Sequence, residues 1–192
     1  MQAKFKKNKF MKKLSLIFGM LVLFLTSSCR DVVNSVLDVL PPFDVPFSTD
    51  VTVPFATVST TSYTRTPEIP MNVDLDKKIK ENNPNFSINN LKSVKLNALN
   101  IQFLSSQFDT KLDVIKNAKI YIKAPNLPEK LIATSYNNVN ADTITFTVEN
   151  EELLEYFRTS QNSLIFEIQG NRVSADKITL RINSGFNVKV QL

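Results

Sequence analysis

From Ile178 to Leu192 the apolar residues Ile178, Leu180, Ile182, Phe186, Val188, Val190 and Leu192 all fall on even positions. A spacing of two gathers these side chains on one face of an extended chain and scatters them around a helix. Ser184 and Gly185 interrupt the apolar run without changing its phase. The segment therefore reads as one long strand kinked at Gly185, with a Ser-Gly hairpin as the competing arrangement.

The same period recurs along the chain. Val94 and Leu96 share one phase, and Leu99, Ile101 and Phe103 the other. That slip predicts a bulge near Asn97-Ala98. Ala118, Ile120, Ile122 and Ala124 form a strand ended by Pro125, and Leu131 with Ala133 a short one. Ile144, Phe146 and Val148 alternate with threonines, and Leu164, Phe166 and Ile168 run up to Gly170. Nearer the N-terminus, Val51, Val53 and Phe55 alternate with Thr52, Pro54 and Ala56. Pro46 and Pro54 cannot donate to a ladder, which places that strand at a sheet edge.

Two helices are expected. Met71, Val73 and Leu75 read as a strand, after which Asp76 caps a helix from Lys77 to Asn82 that stops before Pro84. Asn150 caps a second, Glu151 to Thr159, with Leu153, Leu154 and Phe157 as its buried stripe. Asn137 to Asp142 is turn-rich. Seven or eight strands with short connections predict an all-β fold with one or two short helices, a two-sheet β-sandwich of Ig-like type over residues 43–192.

The N-terminal region differs in kind. Lys4, Lys6, Lys7, Lys9, Lys12 and Lys13 precede an apolar run from Leu14 to Leu25, followed by Thr26, Ser27, Ser28 and Cys29, the single cysteine of the chain. The run is shorter than the roughly 20 residues of a membrane span and fits an export signal. The segment resembles a bacterial lipoprotein signal, whose lipobox sets small residues ahead of a cysteine. Thr26 stands three places before Cys29, where Leu is usual, and Leu25 lies one place earlier. The resemblance implies that residues 1–28 are removed and that Cys29 is lipidated on sulfur and acylated as the new N-terminus. It also implies a partner, the membrane, held through the lipid. Arg30 rather than Asp follows the cysteine, which under the familiar sorting rule implies the outer membrane. Met11-Lys12-Lys13 looks like a natural start for such a signal. Residues 29–42 would form the anchor and either a tether or a short amphipathic helix, with Val32, Val33, Val36, Leu37 and Leu40 at helical spacing before Pro41-Pro42.

Cutting at Cys29 changes the charge. Six of the 23 basic residues and none of the 18 acids precede it, so the mature portion carries 17 basic against 18 acidic side chains. A net charge of about −1 leaves no footprint for nucleic acid. The chain has no histidine and no tryptophan. Triads, HExxH zinc sites and cysteine nucleophiles are thereby excluded, and with two mature glycines, Gly170 and Gly185, no glycine-rich phosphate loop is possible. No catalytic residue, metal ligand or cofactor is assigned.

Three groups rich in acids or amides are the remaining possibilities for chemistry. Asp74 and Asp76 share a strand face, Glu149, Glu151 and Glu152 cluster at a helix start, and Asn138, Asn140 and Asp142 share a loop. A solvated face, the helix dipole and turn formation explain them more simply. Tyr121 faces away from Ile120 and Ile122 and is a candidate for a glycan-binding face. The expectation is a lipid-anchored, non-enzymatic binding or structural domain whose partner is an envelope protein or a glycan. A carboxylate-dependent polysaccharide hydrolase and an adhesion or assembly subunit pairing through an edge strand are the alternatives.

Overall fold

The computed structural model describes residues 41–71, 73–159 and 161–191, which belong to one compact unit beginning at Pro41. Cys29, the signal segment and the tether as far as residue 40 lie outside the described residues. In chain order the elements are β1 (Phe43–Val58), β2 (Thr64–Arg65), β3 (Ile69–Met71), α1 (Leu75–Asn82), β4 (Leu91–Ser106), β5 (Ile115–Lys123) and β6 (Lys130–Ser135). Then follow β7 (Thr143–Thr145), β8 (Thr147–Val148), α2 (Leu154–Phe157), β9 (Asn162–Gly170) and β10 (Ser174–Val190). Antiparallel pairing builds two sheets, β1-β10-β4-β7 and β2-β9-β5-β6-β8, with β3 also paired to β9. The fold is an all-β sandwich.

The C-terminal alternation is one strand and not a hairpin. β10 pairs with β1 on one side and β4 on the other. Its even residues Ile178, Leu180, Ile182, Phe186, Val188 and Val190 are all buried. Every second side chain therefore enters the space between the sheets, where Phe186 meets Phe157 edge-on at 4.9 Å between ring centroids. β1 pairs only with β10 among the described strands, so the strand carrying Pro46 and Pro54 is an edge strand as expected.

The predicted bulge is present. Ala98 opposes Gly185 and Leu96 opposes Phe186, which leaves Asn97 as the extra residue. The slip lets Val94 and Leu96 before it, and Leu99 and Ile101 after it, all reach the core. Asn97 also explains the glycine opposite. A Cβ on Gly185 would collide with the Asn97 side-chain oxygen, while the Asn97 amide donates to Asp44 on β1 at 2.8 Å. The side chain thus crosses above β10 and ties β4 to β1.

Four local expectations are corrected. Met71, Val73 and Leu75 are not one strand: β3 ends at Met71, and Leu75 is a buried helical residue. Asp74 rather than Asp76 caps α1, accepting from the Lys77 backbone at 2.9 Å. The helix starts early because Leu75 and Ile79, four apart, then share the buried face. Likewise α2 is a single turn, and Asn150 does not cap it. The Glu152 carboxylate accepts from the Leu153 and Leu154 N–H groups instead, at 3.1 and 3.0 Å. The buried residues there are Leu153, Tyr156 and Phe157, and not Leu154.

Ile144, Phe146 and Val148 do not lie in one strand either. β7 pairs with β4 in the smaller sheet, and β8 pairs with β6 in the larger. The chain changes sheets at Phe146, whose buried ring lies at the crossing. In β6 a bulge places Ile132 as the extra residue between Leu131 and Ala133, so Ile132 is buried and Leu131 is partly exposed.

Candidate functional site

The outer face of the larger sheet carries a row of polar and charged side chains. On β5 the outward residues are Asn117, Lys119, Tyr121 and Lys123, because Ala118, Ile120 and Ile122 take the inward phase. Asn117 donates to Gln169 at 2.9 Å. The Lys119 ammonium lies 4.6 Å from the centre of the Tyr63 ring.

Tyr121 lies on this face, as its phase predicts. Its hydroxyl donates to Glu167 at 3.1 Å, and the Arg65 guanidinium stands 5.7 Å from its ring centre. Arg65 also pairs with Glu129 and, at 3.6 Å, with Glu167. Burial and then the neighbouring Glu167 raise the Tyr121 phenol above its ordinary value. Its ring is thus engaged by Arg65 and its hydroxyl by Glu167. Ile165, its cross-strand partner, is buried although it points to this outer side.

The row ends in a cleft of about 420 Å³, formed where β5 finishes, β9 begins and β3 lies along the edge. Lys123, Glu68, Ser163, Asn162 and Gln161 supply its polar wall, and Pro70, Met71 and Pro125 its apolar wall. Lys123 donates to one Glu68 oxygen, and the Ser163 hydroxyl donates to the other at 3.0 Å. These bonds, Lys123 first, hold the Glu68 carboxyl below its usual range, and Glu68 in turn raises the Lys123 ammonium. Asn162 is buried, and its amide N–H donates to the Tyr156 carbonyl at 3.2 Å. Its side-chain oxygen, equally buried, has no hydrogen-bond partner.

The three acidic groups singled out from the sequence lie apart from one another, and of them Asp74 and Asp76 line a shared surface hollow with Glu81. Asp74 caps α1, whereas Asp76 pairs with Lys80 and accepts from the Ile88 backbone at 2.8 Å. They lie at a helix start and do not share a strand face. Glu151 pairs with Lys130 at 3.2 Å. Glu152 accepts from the Ser93 hydroxyl at 2.6 Å and the Val94 N–H at 2.8 Å, joining α2 to β4. Asn150 accepts from Lys95 at 2.9 Å.

The 138–142 loop uses turn chemistry. The Asn138 oxygen accepts from the Asn140 N–H, and the Asn140 oxygen from the Asp142 and Thr143 N–H groups. Among the described residues, no group of three or more Asp, Glu, His or Cys is placed to hold a metal ion.

Of the cleft, sequence reasoning reached only the neighbour Tyr121. Lys123 lies two residues further along the same outward phase, which is the one local signal it offers. Glu68 is 55 residues from Lys123 and 95 from Ser163. No spacing rule connects residues so far apart.

No family model matches this sequence, and no curated protein matches it. Among solved structures, the chain aligns with the crystal structure of SPBc2 prophage-derived protein YomS at 14% identity and a TM-score of 0.28, over 73% of this chain and 95% of that one. At that distance the likeness carries no argument about function.

Proposed function

We propose that this chain is a lipid-anchored lipoprotein of the bacterial envelope, held in the outer membrane, whose β-sandwich is a non-enzymatic binding module working through the cleft at Glu68 and Lys123. The anchor is supported by the basic and apolar segment ending at the lone Cys29. Cys29 also precedes the sandwich by only a short tether, since β1 begins at Phe43. Three acyl chains, each contributing about 0.8 kcal/mol per buried CH₂, make release from the bilayer negligible.

The observation that carries the binding role is the cleft itself. A hydrolase reading needs two acids converging on one cleft with a raised pKa. The acids at Asp76 and Glu152 are instead held in their charged form by separate partners. The cleft places one ion pair, a hydroxyl and a buried amide around an open volume, an arrangement that orients a ligand, with the Glu68 carboxyl and Lys123 ammonium each shifted toward its charged form.

Labelled palmitate tests the anchor. Wild type should incorporate label and Cys29→Ala should not, and equal incorporation would refute the reading. A pull-down from envelope extract with the domain from Pro42 onward tests binding. Glu68→Gln should lose the partner that wild type retains.

The assembly alternative has one supporting observation, the 16-residue β1, paired on one side only among the described strands. Pro46 and Pro54 remove donors along that edge, which makes it a poor template for another strand.

A further inference from the structure

We infer that the Glu68–Lys123 cleft takes a neutral, hydroxyl-rich small molecule of one or two sugar rings, bound by hydrogen bonds to Glu68, Lys123 and Ser163 against the Pro70–Met71 wall. The inference rests on the reading of the domain as a binding module and supplies the ligand class.

Charge selects against ions. Lys123 and Glu68 neutralise each other across one hydrogen bond, so an anion meets the carboxylate and a cation the ammonium. Either ion meets a like charge beside the group that attracts it, so the pair favours a neutral ligand. A hydroxyl suits both groups, because it donates to a carboxylate and accepts from an ammonium at once. Lys123 uses one of its three donors on Glu68, and its side chain is 40% exposed, so N–H groups remain for a ligand.

Polarity selects against a wholly apolar molecule. Ser163 bonds to the ion pair's carboxylate, Gln161 also lines the cleft, and a third lining residue, Asn162, carries a buried side-chain oxygen without a partner. A buried acceptor left unpaired costs free energy that a nearby donor recovers. The apolar side is formed by Pro70, Met71 and Pro125, surfaces suited to the C–H face of a pyranose. The volume, about 420 Å³, falls within the usual range of small-molecule sites, roughly 300–1,000 Å³.

Met71 offers a direct probe. It lines the cleft, and it is the single methionine that follows Cys29. The processed full chain, labelled with methyl-¹³C methionine and held in a detergent without a sugar headgroup, therefore gives one methyl resonance. It should move saturably with maltose, cellobiose or N,N′-diacetylchitobiose, half-maximally on the order of 1 mM. Glu68→Gln and Ser163→Ala should each raise that concentration about tenfold or more with the circular dichroism spectrum of the folded domain retained. Tyr121→Phe, outside the cleft, should leave it unchanged.

If none of the three sugars moves the resonance while glucuronate or a dipeptide does, the ligand class is overturned and the binding reading stands. If none of these compounds moves it, both the class and the cleft as a binding site fail. A sugar response that survives both cleft variants unchanged overturns the assignment of Glu68 and Ser163.

Discussion

Asp176 shows how much one side chain organises. It is a buried carboxylate at the inward phase of β10, a position its neighbours fill with Ile178 and Leu180. Its oxygens accept from the N–H groups of Gln107, Phe108 and Thr110 at 3.1 to 3.3 Å, and from Lys177 at 2.6 Å. Burial works against the charge, and these donors outweigh it, so the carboxyl is held below its ordinary value. Asp176→Leu should unfold at a clearly lower urea concentration at pH 7, with the 107–110 amides losing hydrogen-exchange protection. Unchanged protection would show that the loop does not depend on the carboxylate. Gly185 and Asn97 form the second residue-scale device. Gly185→Ala should destabilise by about 1–3 kcal/mol, and by less when Asn97 is also Ala. A double-mutant cycle in urea measures the coupling. Additive losses would mean that the two residues do not share the space above β10.

Among the elements, β10 carries the core. The strand lies between β1 and β4, and its inward residue Ile182 is fully buried. Ile182→Ala should cost about 2–5 kcal/mol, measured by the urea midpoint. One residue inserted after Ser184 should prevent folding, since every side chain beyond it changes face. The same insertion at Asn140, in an exposed turn, should be tolerated, and circular dichroism with a melting curve would separate the two. The long strands were legible because a half-buried strand writes its period into the sequence. β10, the β4 bulge and the edge position of β1 all follow from period, phase and proline. The short elements were not. Ile144, Phe146 and Val148 keep one period through a change of sheet, because alternation records burial and not the partner strand. Asp74 and Asp76 compete for one helix start, and the packing of Leu75 with Ile79 decided it. α2 is held by Glu152 reaching β4, a contact invisible to local capping rules.

Across the whole molecule, several carboxylates are stabilised in their charged form. Hydrogen bonds from Arg181, Lys123 and Lys80 lower Asp50, Glu68 and Asp76. At Glu152 burial acts in the opposite direction and is outweighed by the Ser93 hydroxyl and backbone donors. A carboxyl lowered in the folded state contributes stability above its unfolded value, about pH 4, and loses it as pH falls through the folded value. The urea midpoint should therefore change little from neutral pH down to roughly pH 5 and then fall through and below about pH 4. A midpoint constant to pH 2.5 would contradict this. The sequence by itself determined the all-β class, the phase of the long strands, the bulge and the expectation of an export signal ending at Cys29. All of these depend on residues close in the chain. Only the tertiary structure decided which strands pair, where the chain changes sheets and that Glu68, Lys123, Ser163 and Asn162 share a cleft. Antiparallel pairing brings together residues far apart in the chain, and the spacing of two that marks a strand carries no label for its neighbour.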